Sequence, residues 1–305
     1  MEGLPMTRGG LAGSALRPAG PAPSLAPCST AMVGTAPPGR AVTVAAGAFA
    51  VAVAGKATLG GLLRRRRGQR ETRATRVACA AVPTEKPFRT TLFTKAAPDG
   101  VSLGDCPFSH AVQIALKVKG VDYDVVPCGP NNKPPWLLQE VAGQMPCVVH
   151  QGIAHVETSQ ILKWIDMTFP GPSLAVPEDY AQLVSRAAIF PAVAEFTKNS
   201  DSSKDDDLLV NLQMSLTRFR MHLFALPIGT RYAVSDTLTL ADCELLAALY
   251  VIQSATASLK GWSLNDLPEK DEVRQYYERA AALPAFSQSC YPPNVGVQGW
   301  QMARQ

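Results

Sequence analysis

The chain has 305 residues, 47% of them hydrophobic and 18% charged, which allows a real apolar core and excludes a disordered polyampholyte, a coiled coil and a collagen-like fibre. Residues 1–84 hold eleven Lys or Arg and two acids, a net +9, whereas the remainder holds 18 basic and 23 acidic residues, a net −5. A nucleic-acid binder carries its positive charge on the folded body, so we expect no nucleic-acid partner.

Residues 1–84 are predicted to be an organelle targeting leader that is disordered or removed. They are rich in Ala, Gly, Pro, Val and Arg and poor in acids, and they carry no amphipathic pattern long enough for a core element. The apolar stretch 41–63 leaves three interpretations open: a signal-type region in a two-part plastid leader, an apolar patch in a simple transit peptide, or a retained membrane anchor. The small residues at 77–80 suit cleavage. We expect a plastid location, with the mitochondrion as the alternative, and membrane contact only through a retained leader.

The body begins with alternating strand and helix patterns. Their order, β-α-β-α-β-β-α, predicts a mixed four-stranded sheet flanked by helices, in a domain that spans 88–170. Gly120 suits the end of the first helix, because glycine is favoured just after a helix C-terminus. The predicted strands are 90–94, 121–126, 146–150 and 153–156, and the predicted helices are 109–119, 136–141 and 159–169.

A second domain, 178–300, is predicted to be all-helical. Helical spacing recurs beyond Pro170-Gly171-Pro172, and Thr239 with Asp242 reads as a capping box that needs only a structural explanation. The predicted helices are 178–198, 205–225, 239–256 and 270–282. The fold class is therefore α/β followed by all-α.

The strongest local signal is the segment 105–109, Asp-Cys-Pro-Phe-Ser, which follows a strand and a loop and opens a helix. The amides and dipole of a helix N-terminus favour the thiolate form of a cysteine there, and only the thiolate is an efficient nucleophile. Pro107 suits the first turn, because its missing N–H has no helical partner there. The residues alone leave two interpretations of Cys106: a nucleophile, or one more buried small hydrophobic side chain.

Seven cysteines are too few for a disulfide scaffold, and none lie in a C-x-x-C pair, so their usage is that of a reducing compartment. No His and Cys group has the spacing of metal ligands, and no Gly-x-Gly-x-x-Gly follows a strand. We therefore expect no metal, flavin or nicotinamide site.

Two other motifs lie at the starts of elements. Met145-Pro146 enters a strand, and in a thioredoxin-like sheet a proline there is typically cis and turns the preceding backbone toward an extended peptide; the sequence does not determine the isomer. Glu157-Thr158 opens a helix, where free amides and a hydroxyl can hold a carboxylate. A simple helix cap explains this second motif equally well.

Over about residues 90–300 the body resembles the plant dehydroascorbate reductases of the glutathione transferase superfamily. The matching segments are LFTKAAPDGVSLGDCPFS, NKPPWLL, MPCVV and VETSQIL with FPGPSL. CPFS is shared with the chloride intracellular channel family, whereas TKAA, the Gly-Asp before the cysteine and Lys-Pro-x-Trp favour the reductases. The resemblance implies an N-terminal thioredoxin-like domain followed by a C-terminal helical bundle, as in glutathione transferases.

The resemblance also implies site residues. Cys106 would be the catalytic nucleophile, and Lys95 and Asp105 would line the pocket for both glutathione and dehydroascorbate. His222, in RMHLFAL, and Trp262, in LKGWSL, would contact dehydroascorbate, although a surface histidine and a core tryptophan explain these two residues equally well. The other implied glutathione-binding residues are Phe108, Lys133, Met145, Pro146, Glu157 and Thr158.

Among these, Lys133 would meet the glycine carboxylate of glutathione, and Met145 would pair through its backbone with the cysteinyl unit. Glu157 and Thr158 would hold the γ-glutamyl end, where the family has Asp-Ser. The chain also departs from the family at His110-Ala111, where Gln-Arg is usual, so a positive charge on the first helix is lost. These departures bear on substrate affinity more than on the type of reaction.

The implied enzyme is a dehydroascorbate reductase, or glutathione dehydrogenase (ascorbate), with glutathione as co-substrate and a ping-pong mechanism. We expect a monomer. Three alternatives stay open: an omega-like glutathione thiol transferase, a membrane-associating protein of the chloride intracellular channel type, and a non-catalytic glutathione transferase-like assembly module.

Overall fold

The computed structural model describes residues 76–77, 82–177 and 182–304. The predicted leader lies almost entirely outside these residues, as do the apolar stretch 41–63 and most of the expected cleavage region. The leader and its fate therefore stay predictions.

The body contains a mixed sheet in the order β1-β3-β2-β4-β5. β1, β3 and β2 run parallel to one another, and β4 is antiparallel to both β2 and β5. Four of the strands and the β4–β5 hairpin are as predicted. The strands are β1 (Arg76–Val77), β2 (Thr91–Lys95), β3 (Asp124–Cys128), β4 (Cys147–His150) and β5 (Ile153–His155).

The two-residue strand β1 is an addition that the sequence does not predict, and it falls inside the stretch assigned to the leader. Arg76 pairs with Asp124 and Val77 with Val125. Without β1, β3 would be an edge strand, and its unpaired backbone groups can be satisfied by an extended segment whatever the side chains of that segment are. Side-chain patterns therefore do not reveal this pairing.

Helices cover both faces of the sheet. Leu92, Val125 and Val148 lie side by side in the register and pack into the core that contains α1 and α3. Their neighbours on the opposite face, Phe93 among them, pack against α2, where the Phe93 and Trp136 rings meet edge to face with centroids 5.0 Å apart. These helices are α1 (Pro107–Val118), α2 (Pro135–Val141) and α3 (Thr158–Thr168).

Beyond residue 182 the described chain is helical. α1 packs against α7, so one core connects the sheet to the helical half. A π-helical turn (Ile252–Thr256) joins α7 to α8, and 3-10 turns occur at Ser202–Lys204 and Leu264–Asp266. The helices are α4 (Leu183–Ala187), α5 (Ile189–Lys198), α6 (Asp205–Ala225), α7 (Leu240–Val251), α8 (Ala257–Lys260), α9 (Glu272–Ala281), α10 (Pro284–Ser287) and α11 (Pro293–Met302).

The predicted helix 178–198 is wrong as a single element, because the chain breaks at Ala188, whose φ is 53°. Pro191 supplies the reason: a proline lacks the N–H that a continuous helix would donate to the carbonyl of Ala187. Restarting the helix after Ala188 places Pro191 in the first turn of α5, where no donor is needed.

The predicted capping box at the start of α7 is confirmed. The backbone N–H and the hydroxyl of Thr239 both donate to Asp242 Oδ2 at 2.7 Å. Asp242 Oδ1 also accepts from the Ala233 amide and the Tyr276 hydroxyl, so this carboxyl joins α7 to α9 and to the preceding loop.

Within the described ranges, one stretch, Leu240–Lys260, is long and apolar enough to cross a membrane. Inside the protein 78% of its most apolar window is buried, which is the environment of a core helix.

Candidate active site

Cys106 caps the N-terminus of α1. Its backbone is extended, its carbonyl accepts the His110 N–H at 3.0 Å, and its side chain is partly exposed. Pro107 occupies the first helical position, and the first turn holds no acidic residue. The unpaired amides of this turn therefore lie at the helix end that Cys106 caps, and the first turn brings no carboxylate of its own to compete for them.

The loop from β2 to α1 folds back onto the end of the strand. Gly104 donates its N–H to the Lys95 carbonyl at 2.9 Å, and a Cβ at Gly104 would collide with that oxygen. The return places the next residue, Asp105, beside the Lys95 side chain. Lys95 Nζ donates to Asp105 Oδ1 at 2.7 Å, with the lysine half-exposed and the aspartate 5% exposed.

A second group of candidate residues surrounds the peptide bond between Met145 and Pro146, which is cis. Lys133 Nζ donates to the carbonyl of Gly143 at 2.7 Å. Gln144 Nε2 donates to Glu157 Oε1, so the loop before β4 is tied to the start of α3. Glu157 has φ 64°, an uncommon conformation for this residue type, and Thr158 begins the helix.

The sheet brings the two groups to the same edge. β2 and β4 are antiparallel, with Phe93 opposite Cys147. The end of β2, which leads into the Lys95–Cys106 loop, therefore lies beside the start of β4, which Pro146 immediately precedes. A thiol at a helix N-terminus, a buried carboxylate paired with a lysine, and the cis Met145–Pro146 bond thus lie at the same edge of the sheet.

Phe108 faces the helical half rather than the sheet edge. Its ring, 45% exposed, meets Phe190 edge to face with centroids 4.9 Å apart. Both residues line a mostly apolar cavity of about 230 Å³ between α1, α4, α5 and α7. The role in glutathione binding that the resemblance implies for Phe108 stays a prediction.

His222 and Trp262 also lie in the helical half. His222 Nε2 is 2.7 Å from the Ala233 carbonyl, to which it donates, and the ring lies parallel to Phe219. Trp262 is half-buried and packs against the core. These contacts are structural, and the roles of both residues in binding dehydroascorbate stay predictions.

The helix α11 is part of this site, and the sequence patterns miss it. Its Gly299 lies directly against the Asp105 carboxylate, and its Trp300 is buried. Glycine is a poor helix former, so Gly296 and Gly299 weaken the helical signal of the segment. Their spacing of three residues on one helical face is the only cue that the sequence offers.

The other described cysteines lie in apolar surroundings. Burial raises the pKa of the Cys128 thiol to about 11 and those of Cys147 and Cys290 to about 12. Burial also raises the pKa of Cys243 well above its ordinary value. In the part of the chain that the structure describes, no cluster of His, Cys, Asp or Glu is arranged to hold a metal ion.

Comparison with known proteins agrees with this architecture. Residues 101–173 match the family model of the glutathione S-transferase N-terminal domain, a range that includes Cys106 and Pro146 but begins after β2. In the crystal structure of dehydroascorbate reductase from Chlamydomonas reinhardtii, 98% of the chain aligns with 70% of this one, with a TM-score of 0.59 and 25% identity.

Curated relatives come from two groups. The chain is 27% identical over 209 residues to glutathione S-transferase DHAR2 of Arabidopsis thaliana, covering 67% of this chain and 92% of that protein. It is 28% identical over 200 residues to the probable chloroplastic glutathione S-transferase DHAR2 of Oryza sativa subsp. japonica, covering 65% and 70%. It is also 28% identical over 216 residues to chloride intracellular channel protein 3 of Homo sapiens, covering 65% and 90%. The chain therefore contains a glutathione S-transferase N-terminal domain at residues 101–173, and its body is similar both to proteins of the dehydroascorbate reductase type and to chloride intracellular channel protein 3.

Proposed function

We propose that this protein reduces dehydroascorbate to ascorbate with glutathione. The observation that carries the proposal is the position of Cys106, at the N-terminus of α1 and on the same sheet edge as the cis Met145–Pro146 bond. The similarity to dehydroascorbate reductases supports the choice of substrate.

Glutathione would lie along the sheet edge, so that its thiol reaches Cys106. The backbone of Met145 would pair with its cysteinyl unit, and Lys133 would pair with its glycine carboxylate. At the other end, the first-turn amides of α3 with Thr158 would accept the γ-glutamyl carboxylate, and Glu157 would face its ammonium group. The Lys95–Asp105 pair would border the place of the second substrate.

The chemistry balances with two glutathiones per turnover. The Cys106 thiol, with one water, gives two electrons and two protons to dehydroascorbate, which leaves as ascorbate, and the sulfur becomes a sulfenic acid. One glutathione condenses with the sulfenic acid, forming a mixed disulfide and releasing water. A second glutathione thiolate attacks the glutathione sulfur of that disulfide, so that oxidised glutathione leaves and the Cys106 thiolate returns.

Steady-state kinetics of the full chain with glutathione and dehydroascorbate tests this function. We expect turnover that falls to the uncatalysed background in Cys106→Ser, with an unchanged circular dichroism spectrum. Cys290→Ser is the matched control, because Cys290 is also partly exposed but lies next to α10. Wild-type turnover by Cys106→Ser, or no turnover by the wild type, would overturn the proposal.

The same thiol also suits an omega-like thiol transferase, which reduces mixed disulfides of glutathione. Comparing kcat/KM for dehydroascorbate with that for a glutathionylated peptide separates the two activities. A larger value for the peptide would place the protein in the second class.

The similarity to chloride intracellular channel protein 3 favours a different second candidate, a membrane-associating protein. Against it, Leu240–Lys260 is mostly buried in the core. Conductance across liposomes, in the absence of dehydroascorbate turnover, would favour this candidate.

We propose further that residues 1–84 are a leader removed on import into a plastid, ahead of domains at 88–170 and 178–300 in a monomer. The basic, acid-poor composition supports the leader, and the similarity to a protein named as chloroplastic supports the organelle. The organelle is tested by the location of a fluorescent protein fused to residues 1–84. Mass spectrometry of the N-terminus of the imported protein tests removal of the leader, and sedimentation in solution tests the monomer. Mitochondrial import would select the alternative organelle.

A further inference from the structure

Gly299 makes an unusually close approach to the site. A Cβ built on this residue would lie 2.5 Å from Oδ1 of Asp105 and closer still to Oδ2 and Cγ. Real Cβ atoms essentially never come nearer than 3.0 Å to such atoms. Since all three atoms are near, the carboxylate lies flat against the backbone of α11, at a spot that only glycine leaves free.

Asp105 is thus held from two sides. Lys95 Nζ donates to Oδ1 at 2.7 Å from the sheet side, and α11 closes the other side. The carboxylate is 5% exposed and belongs to the residue immediately before Cys106. Any shift of α11 toward or away from the sheet must therefore move this carboxylate or open a gap beside it.

The helix that carries Gly299, α11, packs against several neighbouring elements. Trp300 is 4% exposed, and Lys198 Nζ lies 5.7 Å from the centroid of its indole ring, so the end of α5 covers it. α11 also packs on the π-helical turn after α7. One turn before Gly299, Gly296 lies against the Tyr291 ring, where a Cβ would be 2.9 Å from Cε2.

We propose that Gly299 is a positioning residue for catalysis: it lets α11 seat the Asp105 carboxylate beside Cys106, which makes the C-terminal helix an integral wall of the active site. The proposal rests on the proposed function for the role of Asp105. In this proposal Gly299 does not contact a substrate, because Gly299 acts through Asp105.

The test is a double-mutant cycle in the full chain with Gly299→Ala and Asp105→Ala. A misplacement of about 1 Å in an active site can cost about a hundredfold, so we expect Gly299→Ala to lower kcat/KM by about tenfold to a hundredfold. Gln298→Ala on the exposed side of the same helix is the control, and we expect it to stay within about twofold of wild type.

In the Asp105→Ala background the carboxylate that would be displaced is gone. A positioning role therefore predicts that Gly299→Ala has no further effect there, whereas general damage to α11 lowers activity by the same factor in both backgrounds. An equal factor in both, or wild-type kinetics of Gly299→Ala, would overturn the proposal.

The rate of Cys106 alkylation by iodoacetamide gives a second readout that needs neither substrate. We expect Gly299→Ala to change this rate in the wild-type background and not in Asp105→Ala. If wild-type protein fails to reduce dehydroascorbate but the alkylation cycle behaves as expected, the proposed function fails and the role of Gly299 stands. An alkylation rate that Gly299→Ala leaves unchanged would count against Gly299 alone.

Discussion

The imidazole of His110 is hydrogen-bonded to the hydroxyl of Ser289, with 3.2 Å between Nε2 and Oγ. Ser289 Oγ donates its single proton to the Phe286 carbonyl at 2.7 Å, so His110 must be the donor to Ser289 and carries its proton on Nε2. His110 lies four residues after Cys106, in α1. The bond therefore joins the helix of the nucleophile to the segment that leads into α11.

His110 makes the free energy of unfolding depend on pH. Burial among the rings of Tyr250, Phe286 and Tyr291 lowers the pKa of His110 from 6.5 to about 3. Between these values the unfolded chain binds a proton that the folded chain does not, so the free energy of unfolding falls as pH decreases below 6.5. The slope is about 1.4 kcal/mol per pH unit for one proton.

We expect His110→Gln to remove that slope, and denaturant unfolding at several pH values between 4 and 7 measures it. Other groups titrate in both proteins, so only the difference between the two curves reports on His110. Parallel curves for wild type and variant would show that this side chain is not the source.

Removing the Lys95 ammonium should impair the site more than the fold. In Lys95→Met the nearly buried Asp105 carboxylate loses its partner, so we expect about a tenfold lower kcat/KM, which corresponds to a charged hydrogen bond of about 1.5 kcal/mol. Because Lys95 is half-exposed, the loss of stability should be only about 1 kcal/mol or less. Lys86→Met removes an ion pair of the same 2.7 Å length, with Glu140, and serves as the control that should leave turnover unchanged.

Among the described cysteines, Cys106 should react first with alkylating reagents. Cys128, Cys147 and Cys243 are buried, and burial raises the pKa of each as well as that of Cys290, so few thiolates form at neutral pH. Brief treatment of the folded chain with iodoacetamide at pH 7, followed by peptide mapping, should find the label on Cys106 before the other four. Earlier labelling of Cys290 would contradict this order.

Glu244 should make the protein less stable as pH rises. It lines the cavity beside Phe108, has no hydrogen-bond or ion-pair partner among the described residues, and burial raises its pKa above 4.5. The folded state therefore holds this proton more tightly than the unfolded state, and that contribution is present at low pH and lost as pH rises through the raised pKa.

Glu244→Gln should consequently have a higher free energy of unfolding than wild type at pH 7, and the gap should close below pH 4. Urea unfolding at both pH values measures the gap. A variant that is less stable than wild type at pH 7 would show that Glu244 makes a favourable ionic contact.

The ion pair of Lys119 and Asp166 should stabilise the folded state. It joins the end of α1 to α3 with 2.7 Å between Nζ and Oδ1, and the lysine side chain is 3% exposed. Burial opposes ionisation of Asp166, but hydrogen bonds from Lys119 and the Leu174 amide hold its pKa below the ordinary value. We expect Lys119→Met to lower the free energy of unfolding by about 2–4 kcal/mol, because it leaves a carboxylate without its partner.

Lys163→Met on the exposed side of α3 is the control for that measurement and should change stability by no more than about 0.5 kcal/mol. If both variants unfold at the same denaturant concentration, the Lys119–Asp166 pair contributes nothing measurable.

Local patterns in the sequence were enough for much of the fold. Short apolar strand patterns and helical spacing predicted β2 to β5, α1 to α3 and the long helix α6, because these elements bury apolar side chains in the cores on the two faces of the sheet or in the helical half. The sequence also predicted that Cys106-Pro107 begins a helix, since a proline and a capping residue are features of the first turn alone.

What the sequence by itself determined is therefore the set of elements and the place of the thiol at a helix N-terminus, because these depend on residues only a few positions apart. Tertiary structure alone decided which distant groups meet at that thiol. It brought the cis Met145–Pro146 bond to the edge where β2 ends, and it set Gly299 against Asp105 across almost two hundred residues. Such contacts arise from the packing of whole helices and strands, and no periodicity along the chain records them.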